Sequence, residues 1–387
     1  MQMEKMQLIQ KAEVYGPEHL GRMDILIAAG KIQMIEKDLS RFERDAEVID
    51  GKGKTAIPGF IDQHVHITGG GGEGSFKTRV PELQLSKLIE GGITTVVGLL
   101  GTDASTRSVE NIVAKAKGLK EEGASVYVLT GSYEYPTVTL TGSVKKDILF
   151  IDEIIGGKVA LSDHRSSQVT VEELARLASE VRVAGMMSGK AGILTIHMGD
   201  GEEGLSAVRR VLETTALPVT TMRPTHVNRN KTLLKEALDY AKTGGLIDLT
   251  CDEKDELSPE SVIKRAKSEK VPLENITLSS DGFGSWSNYD EKGRMIEIGV
   301  ASVGTLFKTF RRMVGKEGFS IEEALPFFTT NLEKALSLEK IKGRIAIGYD
   351  ADVLLIDEKI GIDTVLMKGR TMMEEKEILF KGTYEGS

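Results

Sequence analysis

Gly59-Phe60-Ile61-Asp62-Gln63-His64-Val65-His66 begins as an apolar run and ends on two histidines one residue apart. An apolar run of four to eight residues is how a strand covered on both faces reads. On a strand, positions i and i+2 point the same way, so the two imidazoles share a face. Seven further runs of this kind follow, at residues 93–100, 125–133, 158–163, 192–199, 219–227, 246–252 and 276–282. Between them lie segments of helical period such as 171–187, 202–214 and 231–242, rich in Glu, Lys, Ala and Leu. Regular alternation of this sort predicts an α/β chain, and eight is the number of strands that closes a TIM-like (β/α)8 barrel.

Outside these runs the text is β-like. Residues 24–28 and 31–35 alternate around Ala29-Gly30, and 343–348 and 351–356 return to the same character. Neither tail is long enough to bury a core alone, so the two are expected to share one. The predicted organisation is a small β-sandwich domain from residues 1–57 and 342–387, and a barrel from 58–341.

Composition narrows the function classes. With 40% hydrophobic and 28% charged residues the chain reads as an ordinary globular protein. A net charge of −8 without a basic stripe argues against nucleic acid as a partner. The single cysteine, Cys251, excludes an intramolecular disulfide and a Cys-based metal cluster. No stretch approaches about 18 consecutive apolar residues, and residues 1–5 lack a signal-type apolar segment, so no membrane partner and a cytoplasmic setting are expected.

The C-terminal ends of barrel strands are where catalytic side chains collect. There stand His64 and His66 on run one, His197 on run five, His226 on run six and Asp281 on run eight. Four of the six histidines therefore fall on one face; His19 reads as structural, and His164 as a group that orients a neighbour. Imidazoles with one carboxylate suit zinc or a similar borderline divalent ion, and they exceed what one open tetrahedral site needs. Two metals are expected. Run four offers Asp163 as its carboxylate, with nothing to mark it as a bridge.

Residues 58–66 resemble the signature of the amidohydrolase superfamily, and this resemblance implies that the His-x-His pair binds the first of two zinc ions. It also implies a bridging lysine on strand four, carboxylated by carbon dioxide; Lys158 is the lysine of run four. Residues alone would read Lys158 as a solvated charge. The stretches 68–73, 98–103, 130–133, 162–166, 224–229 and 279–282 are further similar to the isoaspartyl dipeptidase family, a group of zinc metallopeptidases. That resemblance implies that Glu73 holds the substrate's α-amino group in a pocket lined by Gly71, Gly72 and Thr102. It implies that Arg165, Arg229 and Ser285 bind two carboxylates and that Tyr133 polarises the scissile carbonyl. Catalysis would run through a metal-bridging hydroxide, with Asp281 shuttling the proton.

The charges agree with this division, since an isoaspartyl dipeptide carries one ammonium and two carboxylates, and planar guanidinium forks suit carboxylates. The alternatives are a cyclic amidase like dihydroorotase or hydantoinase, an N-acyl-amino-acid deacylase, and a non-catalytic scaffold. The Gly69 to Gly72 run lacks the Lys and Ser or Thr of a phosphate-binding loop. A homo-oligomer is expected from the resemblance, with helical residues 303–314 as one contributor.

Overall fold

A computed structural model describes residues 6–290 and 292–386; residues 1–5 of the expected small domain, and positions 291 and 387, lie outside the described residues. The eight runs form eight parallel strands: β1 Phe60–Val65, β2 Ile93–Gly98, β3 Ser125–Gly131, β4 Ile154–Leu161, β5 Ile193–Met198, β6 Met222–Thr225, β7 Ile247–Thr250 and β8 Ile276–Ser279. Each pairs with its successor in the chain. A parallel bridge from Val65 to Gly282, with a 2.9 Å hydrogen bond from His66 N to Gly282 O, closes β8 onto β1. Every residue of β1, β2 and β4 to β8 is buried, which is why these strands read as apolar runs without alternation.

Run four differs from its expected bounds. β4 begins at Ile154, so Lys158 lies within the strand rather than at its start. Gly156-Gly157 breaks the apolar pattern ahead of Lys158, and glycines usually weaken a strand. Here they permit close approach: a Cβ on Gly156 would stand 2.2 Å from Ile193 O, and one on Gly157 2.9 Å from a Val181 methyl.

Helix Val171–Ser188 starts at a capping box between Thr170 and Glu173 and stops at Gly189, which takes the left-handed conformation. Helix Thr305–Gly315 directs Leu306, Phe310 and Met313 inward, with Phe310 edge-on to Phe60 at 5.3 Å. Its apolar face is thus committed within the chain, and Lys308 and Arg311 face outward.

The two ends of the chain meet in one nine-stranded sheet. Thr55–Pro58, which leads into the barrel, pairs antiparallel with Val353–Ile356, which follows it. Ile9, Val14, Ile25 and Ile32 from one end share a core with Val353, Leu355 and Leu366 from the other. Residues 343–348 do not form the expected strand; Gly343 and Gly348 bend the backbone at φ of 85° and 87°, although Ile345 still packs into that core. Lys342 pins the sheet to the barrel, its ammonium 2.6 Å from Asp352, 2.9 Å from Asp350 and 2.6 Å from Ser125 at the foot of β3.

Inside the barrel, one layer of side chains below the strand ends is polar. Arg223 donates to Gln63 and to Thr195 Oγ1, Gln63 donates to Asp248 at 2.6 Å, and Asp248 also accepts from Thr225 and Ser279. These links satisfy the buried polar groups of the layer apart from Arg223 Nε, so it forms a rigid floor. Among the described residues no helix is long and apolar enough to cross a membrane.

Candidate active site

The floor fixes what stands above it. Gln63 precedes His64, Thr225 precedes His226, and Ser279 stands two residues before Asp281, so the same strands deliver their next side chains to the barrel mouth. His64, His226 and Asp281 each present a ligand atom, and these atoms lie within 4.8 Å of one another. His66 Nε2 is 3.3 Å and His64 Nε2 3.4 Å from Asp281 Oδ1, while Lys158 Nζ is 2.9 Å from His64 Nε2. His226 and Asp281 both adopt left-handed backbone, at φ of 60° and 53°, a conformation a non-glycine residue keeps where the surroundings impose it.

Four buried polar atoms here have no hydrogen-bond partner: Nδ1 of His64, Nδ1 of His66, Nε2 of His226 and Oδ1 of Asp281. Such orphans are costly unless a ligand satisfies them. His226 is oriented by its other nitrogen, 2.7 Å from Thr250 Oγ1, which leaves Nε2 for the cavity. Burial first, and then Lys158 beside it, pushes His64 well below the usual imidazole range; burial does the same to His197 and His226. Neutral imidazole is the ligating form. Burial opposes the ionisation of Asp281, but the surrounding His226, His66 and Lys158 outweigh it and hold the carboxyl down at about 2. This donor set suits a divalent cation.

His197 stands apart from that group in its bonding. Its Nδ1 is 2.7 Å from the Tyr133 hydroxyl and its Nε2 3.0 Å from Asp163 Oδ2, although its ring lies against His226 with centroids 4.7 Å apart. Burial pushes the Tyr133 phenol far above its ordinary range, so it stays protonated and can donate.

Above the cluster opens a cavity of about 550 Å³. Glu73 enters from the loop after β1 and accepts from Thr102 Oγ1 at 3.0 Å and Ser285 Oγ at 2.8 Å. Arg165 grips Asp163 with two parallel bonds of 2.9 and 2.8 Å and reaches Glu73 at 3.4 Å. Arg229 also lines the cavity, bonded to Met198 O at 2.5 Å. Gly71 lines the cavity, whereas Gly72 faces a neighbouring groove beside Phe76 and Arg79. Lys158 and His64 lie beneath the lining.

The amidohydrolase family model matches residues 55–372, which span every barrel strand and the joint between the two chain ends. The chain belongs to the amidohydrolase family. This amidohydrolase is accordingly a hydrolase. It is 42% identical to the β-aspartyl dipeptidase of Fervidobacterium islandicum AW-1, solved in complex with β-Asp-Leu, over 98% of each chain with a TM-score of 0.93. Its fold is shared with dihydropyrimidinase from Brevibacillus agri, at 18% identity over 97% of each chain and a TM-score of 0.71. Among curated relatives, the dihydroorotase of Bacillus cytotoxicus is 25% identical over 90% of this chain and 88% of that one.

Several residues at the amidohydrolase's cavity escaped the sequence reading. Asp163 was visible as the carboxylate of run four, yet its double grip on Arg165 and His197 is a tertiary fact. The hairpin of Ser285–Tyr289 with Met295–Val300 brings Trp286 and Tyr289 to the rim. Its alternation of intermediate and exposed residues carries no apolar run, so only Ser285 was found there, through resemblance.

Proposed function

We propose that this amidohydrolase hydrolyses the isoaspartyl bond of dipeptides with two zinc ions, which His64, His66, His197, His226, Asp281 and a carboxylated Lys158 would hold. One observation carries the reading: His66, His197 and Asp281, with His64 and His226 packed against them, line the same cavity as the Glu73 carboxylate and two guanidiniums, Arg165 and Arg229. The β-aspartyl dipeptidase likeness supports the same substrate class.

Lys158 fits its role chemically. Carbamate formation needs a neutral amine, and burial lowers this lysine to about 7. The bound cations would supply Lewis acidity and lower the pKa of water at the cavity floor. Asp281 is ionised, so it can take the proton of the attacking water and hand it to the leaving amine. Tyr133, protonated, donates to the carbonyl oxygen as negative charge develops there. Glu73 takes the α-ammonium, while Arg165 and Arg229 take the carboxylates. For Arg165 that means exchanging its contact with Glu73 for substrate while Asp163 keeps it in place. The single buried Cys251 fits a reducing, cytoplasmic setting, and self-association belongs to the same proposal.

The dihydroorotase relatives favour a second reading, a cyclic amidase. A ring amide has no ammonium for Glu73, and this separates the two. The test is purified protein of measured metal content offered β-Asp-Leu, α-Asp-Leu and dihydroorotate. Cleavage of the β-linked peptide is expected to exceed the others by roughly 10³-fold, as sites built around buried charges discriminate. Equal cleavage of both peptides, or of neither with two metals bound, sinks the proposal, and turnover of dihydroorotate alone establishes the rival.

A further inference from the structure

Arg107 is 6% exposed and belongs to no part of the reaction described so far. It follows β2 in the loop that carries Thr102, one residue before Ser108 caps helix Val109–Glu121. Its guanidinium is spent on backbone. Nη1 donates to Thr68 O, and Nη2 donates to Val80 O at 2.9 Å and to Gly70 O at 3.3 Å. These carbonyls belong to the two limbs of the glycine loop, the outgoing limb at 68–70 and the returning one at 80.

The loop needs such a clasp. Between its limbs the pairing is one bridge, Gly71 to Arg79, and backbone bonds from Val80 N to Gly70 O at 2.9 Å and from Leu83 N to Ile67 O at 3.0 Å. Gly69 and Gly71 take φ of 77° and 82°, and a Cβ on either would stand 2.0 Å from Val80 O or 2.3 Å from Thr78 O. The limbs are thus pressed together, with Thr68 O and Val80 O turned to Arg107. A planar cation with five donors can satisfy carbonyls from both at once. Asp103 adds a second tie from the same loop, 3.4 Å from Arg79 on the returning limb and 3.6 Å from Arg107 itself. At the tip of the clasped loop stands Glu73, hydrogen-bonded to Thr102 from Arg107's own loop.

We propose that Arg107 is a positioning residue for the ammonium subsite: by joining the loop after β1 to the loop after β2 it sets Glu73 against Thr102. The inference rests on the reading above, in which Glu73 receives the α-amino group. Without the guanidinium, Thr68 O and Val80 O lose a buried donor, while Gly70 O keeps Val80 N, and the tip of the loop shifts. A displacement near 1 Å is enough to cost about 10²-fold in a positioned reaction.

The test uses the metal-loaded enzyme with two substrates, β-Asp-Leu and succinyl-leucine, the same molecule without its α-amino group. Wild type is expected to prefer β-Asp-Leu. In Arg107→Met, kcat/KM for β-Asp-Leu is expected to fall roughly 10- to 100-fold, mainly through KM, with succinyl-leucine changed less than about threefold. Metal content should be unchanged. If that variant fails to fold, Arg107→Lys carries the same comparison, since it keeps a charge but loses the fork. A wild type with no preference for the amino substrate overturns the reading of Glu73, and with it this inference. A wild type with the preference whose variant loses both substrates equally, or neither, overturns this inference alone.

Discussion

Lys158 and Lys342 are buried to 0% and 2% exposure, one within β4 and the other at the foot of β3. Lys342 has two carboxylates and a hydroxyl within 2.9 Å. Burial works against its charge, but Asp352 and Asp350 outweigh it and push its pKa above 10.5. Lys158 has His64 as the hydrogen-bond partner of its side-chain nitrogen among the described residues, and burial takes it down to about 7. The same side chain is a clamp where its charge is balanced and, in the proposed function, a reactive amine where it is not. Counter-charge, more than depth, separates structure from chemistry in this barrel.

The largest test of that contrast is Lys158→Met. Activity should drop by about 10³-fold or more, several kcal/mol of barrier, with loss of bound metal. The metal-free protein should melt no lower than wild type, because an uncompensated buried amine has been removed. A lower Tm in a calorimetric scan would erase the difference between the two lysines. Lys342→Met should do the reverse, costing about 3 kcal/mol in urea unfolding by leaving Asp352 without its cation while Asp350 keeps Lys31, with kcat/KM nearly unchanged in the folded fraction.

The contrast also sets a pH dependence. The folded pKa of Lys342 exceeds its ordinary 10.5, so its stabilisation is complete below that value and disappears as pH rises through the folded pKa. Wild type should lose stability on that alkaline limb, and Lys342→Met should show a flatter one; parallel limbs would break the assignment.

Asp163→Asn probes a middle case, a carboxylate shared by the Arg165 guanidinium and the His197 imidazole. A fall in kcat/KM of about 10- to 100-fold is expected, the usual cost of losing a group that orients a ligand. Retained activity would place Asp163 on the structural side.

The smallest effect belongs to Glu153. Burial opposes its charge, but hydrogen bonds from Lys120 and Lys117 prevail and lower it from 4.5 to about 2. Its contribution is present above pH 4.5 and is lost as pH falls toward 2. With both lysines partly exposed, Glu153→Gln should cost about 1 kcal/mol at pH 7 and flatten the acid limb of a stability titration.

These contrasts mark what the sequence made legible. The barrel announced itself because burial on both faces writes a strand as an apolar run, and His64, His66, His197, His226 and Asp281 stood at the ends of such runs. Lys158 came through resemblance, because a lone lysine reads as a solvated charge, and its depth in β4 depends on Gly156-Gly157, which continue the strand by close contact with β5 and a helix. Lys342, Arg107 and Asp163 could not be ranked above other charged residues, because what distinguishes each is the set of partners around it, and those come from distant parts of the chain.

The pairing of Thr55–Pro58 with Val353–Ile356 carries a cost in time. During synthesis the first strand must wait, one edge open, until the entire barrel has been made, an interval of tens of seconds at ordinary elongation rates. An unpaired edge is a template for the wrong neighbour. The nascent chain is thus most exposed to misassembly while its barrel is already taking shape, and the last strands to emerge are the ones that end the hazard.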